Sequence, residues 1–387
     1  LFSKTEYMNR VRRTKEQMAI TGIDVLLITN PSNMNYLTGY NAWSFYVHQM
    51  VMILIDEEEP RWIGRKQDAN SAKETTWLQN KHILFYTDDF IQSPVKHPME
   101  AIARALKKAG KEKARIGVEM ENYYFTAKAL KELEKGLPDA KFIDSTLMVN
   151  YLRMVKSETE IQYIKKAAVI AAKTMQTAID SIEVGTREND AVAEIYHAQI
   201  SGTSTYGGDY PAIVPLLPSG TRTSSPHITW SDRRYEKDDT VIIEIAGCYE
   251  RYHAPLARTL VLGTPSDEVR DLSEVVLEGL NETLNAIQPG QTCEEVESVW
   301  RDSIARNGFY KDSRIGYSVG LSYPPDWGEH TASLRNGDKT ILKPNMTFHI
   351  IPGIWFDDYG VEISETFRIT KTGCEVLTNF PRKLITK

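Results

Sequence analysis

The chain has 387 residues, 41% hydrophobic and 25% charged, close to the globular average. That length exceeds the ~100–200 residues of one domain, which excludes a small stapled module and implies two cores. The net charge of −6, from 52 acidic against 46 basic residues scattered along the chain, leaves no electrostatic footprint for nucleic acid and keeps a small polar or cationic ligand open.

Lys4 to Thr21 is charged with spaced apolar residues and stops before Gly22, which predicts a helix. Ile23 to Ile28 reads as a buried strand closed by the turn residues Asn30-Pro31-Ser32-Asn33. Strands are predicted again at Met50 to Ile55 and Arg115 to Val118, and helices at Pro98 to Lys108 and Tyr124 to Leu133. This alternation predicts an α/β layer domain over residues 1–153. Ser157 followed by Glu160 is a capping box, and the apolar residues from Ile161 to Ile182 then repeat at helical spacing, so a second domain is expected over 154–387. It continues with a helix at 188–200, a Gly/Ser/Thr/Pro-rich stretch to Pro226 and strands at 240–245 and 256–262. Helices follow at 267–287 and 293–307, the latter opened by Thr292 and Glu295, and strands at 347–351 and 361–369 close the chain. Long helices followed by antiparallel strands predict an α+β domain.

No apolar run reaches the ~20 residues that span a bilayer, and Leu1 to Arg13 is charged rather than signal-like. Cys248, Cys293 and Cys374 are far apart with no CxxC, so neither a disulfide framework nor a thiolate zinc site is indicated and a cytoplasmic location is the expectation.

The chemistry-bearing residues lie in the second half. Gly207-Gly208-Asp209-Tyr210-Pro211 places an acid where backbone can approach a ligand, and equally fits a turn with an Asx bond. His227 lies between loop and strand in Pro226-His227-Ile228-Thr229-Trp230, and a lone histidine there also fits a structural role. In Val241-Ile242-Ile243-Glu244-Ile245-Ala246-Gly247 an acid interrupts an apolar strand, so Glu244 needs a charged neighbour or a task. His253 and Arg258 on the following strand can lie near Glu244 across a hairpin, the plainer alternative being a Glu244–Arg258 ion pair.

Gly316-Tyr317-Ser318-Val319-Gly320 and Tyr323-Pro324-Pro325-Asp326-Trp327-Gly328-Glu329 read as one loop of stiff prolines, aromatics and acids, suited to a pocket wall around a small ring. His349 and Glu362 add polar groups on predicted strands, and alternation puts Glu362 and Ser364 on one face with Glu365 on the other.

In order and content these segments resemble the creatinase, prolidase and methionine aminopeptidase family, over nearly the whole chain. The resemblance implies a creatinase-like N-terminal α/β domain followed by a C-terminal pita-bread domain, an α+β protein overall. It also assigns the family's five metal-ligand positions to Glu244, Pro255, the histidine-free segment Gly316 to Gly320, Ile351 and Ser364. Proline and isoleucine carry no side-chain donor for a hard cation, so no metal and no other cofactor is expected, against a prolidase-like dipeptidase.

Asn41 to Gln49, with Trp43 and Tyr46, together with Gly207 to Pro215, Pro226 to Trp230, Glu244 to Gly247, Arg251 to Pro255 and Ser322 to Glu329, resemble the ectoine-hydrolysing branch of that family. The branch implies hydrolysis of the cyclic amidine of ectoine, and of its hydroxylated form, with Glu244 as nucleophile. His227 is the proton shuttle of choice, Asp209 its partner or an amidinium acceptor, and His253 the runner-up. Tyr210, Tyr317, Asp326, Trp327, Glu329, His349 and Glu362 remain substrate-binding candidates, with Arg258 as a donor to the substrate carboxylate. In relatives one N-terminal domain caps the other subunit's site, which implies a homodimer with Trp43 and Tyr46 acting across it. Two competing readings are a relative acting on an acyclic guanidino compound such as creatine, and a non-enzymatic module derived from a peptidase.

Overall fold

The computed structural model describes residues 2–387. The chain divides into two compact units, one ending at Arg153 and one starting at Met154. The first unit runs α1 (Lys4–Thr21), β1 (Val25–Ile28), α2 (Pro31–Thr38), β2 (Met50–Leu54), β3 (Arg61–Arg65), α3 (Ala69–Thr75), β4 (Ile83–Tyr86), α4 (Pro98–Lys108), β5 (Arg115–Val118), α5 (Ala127–Gly136), β6 (Lys141–Asp144) and α6 (Met148–Arg153). Its six strands lie in the order β4-β3-β2-β1-β5-β6, with β1 parallel to β5 and antiparallel to β2.

The segment expected to close β1 as a turn is instead the start of α2. The Asn30 side chain accepts from Ser32 N–H and Pro31 takes a first-turn position, where its missing N–H costs nothing. Helix α5 starts three residues later than the periodicity suggests, because Thr126 caps Ala129 N–H.

The second unit opens with α7 (Glu158–Ser181), capped by the reciprocal Ser157–Glu160 pair, and α8 (Glu188–Ser201). Then come β7 (Thr240–Tyr249), β8 (Tyr252–Val261), α9 (Asp267–Ala286), α10 (Cys293–Arg306), β9 (Gly316–Tyr323), β10 (Asp326–Leu334), β11 (Thr347–Ile350), β12 (Ile354–Trp355), β13 (Gly360–Val361), β14 (Glu365–Ile369), β15 (Cys374–Val376) and β16 (Ile385–Thr386). The main sheet runs β15-β14-β11-β9-β8-β16, with β7 paired to β8 and β10 to β9.

Two further differences from the sequence reading lie in the second unit. The proline-aromatic stretch is no loop but the antiparallel β9–β10 hairpin, with Pro324-Pro325 at its turn. The stretch predicted as one strand over 361–369 is broken at residues 362–364, between β13 and β14.

Helix α7 packs tightly on β7. A Cβ on Gly247 would stand 1.9 Å from the Ala167 carbonyl oxygen, so only glycine permits that approach. Ala171 and Met175 of α7, Ile195 of α8, and Ile243 and Ile245 of β7 share one apolar core.

Candidate active site

The β7–β8 register decides where Glu244 points. Glu244 pairs with Ala257, Ala246 with Pro255 and Cys248 with His253, so these side chains share one face of the ribbon, whereas Ile243 and Arg258 share the other. Ile243 and Ile245 bury against the helices, which turns Glu244 away from that core. On its face, Ala246 packs with Ala212, Val319 and Trp327, with Tyr317 against them, so the β9–β10 hairpin walls the site.

Glu244 is only 5% exposed, and burial followed by the charge of Asp326 pushes its carboxyl up to about 8. Glu362 is fully buried, neither of its carboxylate oxygens has a hydrogen-bond partner among the described residues, and burial followed by the charge of Glu244 raises it well above the carboxylate range. Lys311 opposes that rise; its ammonium donates to the Gly353 carbonyl at 2.7 Å and lies 4.4 Å from the Trp355 ring centroid. Burial lowers this lysine to about 8. Burial also pushes Asp326 up, but the bond to His330 Nε2 at 2.7 Å and the Gly328 N–H at 2.8 Å outweigh it and leave an acid stronger than usual.

A hydrogen-bonded chain runs beside the acids. Trp327 Nε1–H donates to the Tyr317 hydroxyl at 2.9 Å, which lies 3.1 Å from His349 Nδ1, and His349 Nε2 lies 2.7 Å from Ser364 Oγ. Ser364 Oγ also accepts from Ala257 N–H at 2.6 Å, on the residue paired with Glu244. Burial, then the charge of Arg314, holds His349 down at about 3, so its imidazole is neutral. With Tyr317 O–H donating to Nδ1, the remaining proton is assigned to Nε2, facing Ser364.

The structure thus brings Glu244, Glu362, Asp326, Tyr317, Trp327 and His349 together. His227 is exposed and makes no hydrogen bond to Asp209, whose Oδ2 accepts instead from Arg251 N–H at 2.9 Å in the β7–β8 turn. Glu250 and Arg251 have φ of 50° and 66° in that turn, so Asp209 steadies an unusual backbone. The Arg251 guanidinium carbon stands 3.9 Å over the Tyr210 ring centroid. His253 is wholly buried, its Nε2 accepting from Ala212 N–H at 2.9 Å; burial, followed by the Arg251 charge, puts it far below the usual histidine value.

Two expectations are corrected. Arg258 lies on the opposite face from Glu244 and pairs through Nη2 with Glu365 at 2.7 Å, both fully buried, while Nη2 also donates to one main-chain oxygen and Nε and Nη1 donate to three more, so all five of its N–H groups are engaged away from Glu244. Glu329 is bound to Lys156 at 2.6 Å with both side chains 1% exposed, an internal ion pair rather than a ligand group. Trp43 and Tyr46, in the first unit, are 58% and 66% exposed, with Trp43 beside Phe45.

Sequence reasoning missed Lys311 and Arg314. They sit in the polar linker Tyr310-Lys311-Asp312-Ser313-Arg314, which reads as plain solvent loop; the only signal was two cations placed just before a glycine-started strand.

Comparison with known proteins agrees with this architecture. Metallopeptidase family M24 matches residues 162–371, and the creatinase/prolidase N-terminal domain matches residues 10–155. The chain is 44% identical over 393 residues to the ectoine hydrolase of Halomonas elongata, covering 100% of this chain and 98% of that one. It is 32% identical over 379 residues to the Xaa-Pro dipeptidase of Pyrococcus horikoshii, covering 97% and 98%. The crystal structure of the prolidase from Pyrococcus horikoshii superposes with a TM-score of 0.82 at 28% identity, covering 97% of this chain and 100% of that one. The N-terminal creatinase domain and C-terminal pita-bread domain are therefore the fold of this chain.

A metallopeptidase family implies a metal, and the residues present do not fit one. Pro255 occupies the face of Glu244 without a donor atom, Ser364 is engaged by His349 and Ala257, and among the described residues no three His, Cys, Asp or Glu are grouped to hold an ion.

Proposed function

This chain is a hydrolase of the metallopeptidase M24 family, and we propose that it opens the cyclic amidine of ectoine, and of its hydroxylated form, with water. The product is an N-acetyl diaminobutyrate, and the reaction runs on protein groups without a metal. The observation that supports this reading most is the pair Glu244 and Glu362, two buried acids with no cation in salt-bridge distance among the described residues. Such a pair is costly unless a ligand neutralises it, and a planar amidinium offers both positive charge and N–H donors to two carboxylates. The 44% identity to an enzyme named ectoine hydrolase points the same way.

In the proposed reaction the amidinium draws Glu244 into its ionised form. A carboxylate oxygen adds to the amidinium carbon while the C=N π pair retreats onto nitrogen. One ring nitrogen takes a proton and leaves as an amine, and water then resolves the acyl adduct, returning Glu244 as a carboxylate. Tyr317 and Trp327 wall the ring and exclude solvent. His349 is buried, neutral and hydrogen-bonded at both nitrogens, which suits it to orienting Tyr317 and Ser364 rather than to exchanging protons with solvent. His227, exposed and with no side-chain hydrogen bond among the described residues, is the proposed proton carrier.

Proton NMR of ectoine incubated with the protein, with and without EDTA, tests the reading. Loss of the ring signals with growth of an N-acetyl methyl signal supports it, whereas untouched ectoine beside consumed creatine moves the activity to acyclic guanidino compounds.

A further inference from the structure

Ectoine carries a carboxylate beside its amidinium, and the buried Arg258 has no donor left for it. Another cation stands at the site. Arg314, two residues before β9, is exposed, and its guanidinium carbon lies 4.5 Å from the centroid of the Tyr317 ring, whose hydroxyl meets Trp327 and His349. One nitrogen donates to Ser333 Oγ at 3.2 Å, and no acid among the described residues forms an ion pair with it. Its charge is felt at Tyr317, Asp326 and His349, three groups of the site wall.

Resting on the proposed substrate, we infer that Arg314 anchors the ring carboxylate while Glu244 and Glu362 take the amidinium. A guanidinium seated over an aromatic face and tied through one nitrogen to Ser333 is held in place with its remaining N–H groups available, and two parallel N–H donors match a carboxylate. The arrangement also sets selectivity. A plain cation satisfies the acids alone, a plain anion is repelled by them, and a zwitterionic ring satisfies both ends.

The test compares ectoine with the same cyclic amidine lacking its carboxylate, on the wild type, Arg314→Ala and Arg314→Lys. The expected result is that Arg314→Ala raises KM for ectoine about 10- to 100-fold, the range of a charged hydrogen-bond pair. KM for the ring without carboxylate stays unchanged, and Arg314→Lys falls between the two proteins. Equal shifts for both rings, or no shift for either, overturn the anchor while leaving the amidine reading in place. A wild type that opens neither ring overturns the substrate reading and the anchor with it. Unchanged thermal unfolding of Arg314→Ala separates a lost contact from a disturbed Tyr317.

Discussion

Glu362 feels the charge of Glu244 with both of its own carboxylate oxygens buried and, among the described residues, without a hydrogen-bond partner. The free site therefore stores the cost of two desolvated acids, which an incoming cation relieves.

That relationship fixes the pH dependence. Glu244 titrates at about 8, so below that pH the free protein holds it neutral and a cation must displace its proton. Affinity for an amidinium should rise at least tenfold per pH unit up to about pH 8, where Glu244 is ionised in the free protein. Titration calorimetry in buffers of different ionisation enthalpy should show proton release on binding at pH 7; uptake, or none, contradicts the acid pair.

Stability moves in the opposite direction. Because folding raises Glu244 from 4.5 to about 8, its contribution is complete below pH 4.5 and is lost as pH climbs through 8. Glu244→Gln should leave stability nearly unchanged at pH 5 and increase it by on the order of 1–3 kcal/mol at pH 8.5, read from urea unfolding.

The Lys156–Glu329 pair is internal, so Glu329→Gln should cost about 3–5 kcal/mol by removing the carboxylate that balances a buried ammonium. Replacing both residues with apolar ones should recover much of that loss. Folded Glu329→Gln protein should keep its KM; a large rise in KM with unchanged unfolding would return Glu329 to the substrate.

Tyr317→Phe removes the acceptor of Trp327 Nε1–H and the partner of His349 Nδ1. Leaving these buried groups unmatched should cost roughly 1–3 kcal/mol in stability. Turnover should fall further than stability does, and equal losses on both scales would make Tyr317 a packing residue only.

EDTA dialysis should leave turnover unchanged, and added Mn²⁺ or Co²⁺ should not raise it. Stoichiometric metal in active protein, with activity lost on its removal, contradicts the donor set described above.

Local signals in the sequence carried far. The capping pairs Ser157–Glu160 and Thr292–Glu295 mark their helices because capping is a contact over three residues. Glu244 stands out because an acid in an apolar strand is conspicuous wherever the strand lies. Partners distant in sequence leave no such mark. Arg258 finds Glu365 across 107 residues and Lys156 finds Glu329 across 173, and each pairing removed a residue that its type and neighbourhood had recommended for the site. The β9–β10 hairpin was hidden for another reason: Pro324-Pro325 and the glycines around it are loop punctuation locally, while β9 is held by pairing with β8 and β11 and β10 by pairing with β9.

The most direct measurement is turnover and binding of ectoine by Glu244→Gln, followed by NMR and calorimetry. The expected result is a folded protein that forms no N-acetyl product, binds ectoine more weakly than the wild type at pH 8, and has lost the tenfold-per-unit rise of affinity with pH that Glu244 supplies. Ring opening at the wild-type rate in that variant would contradict it.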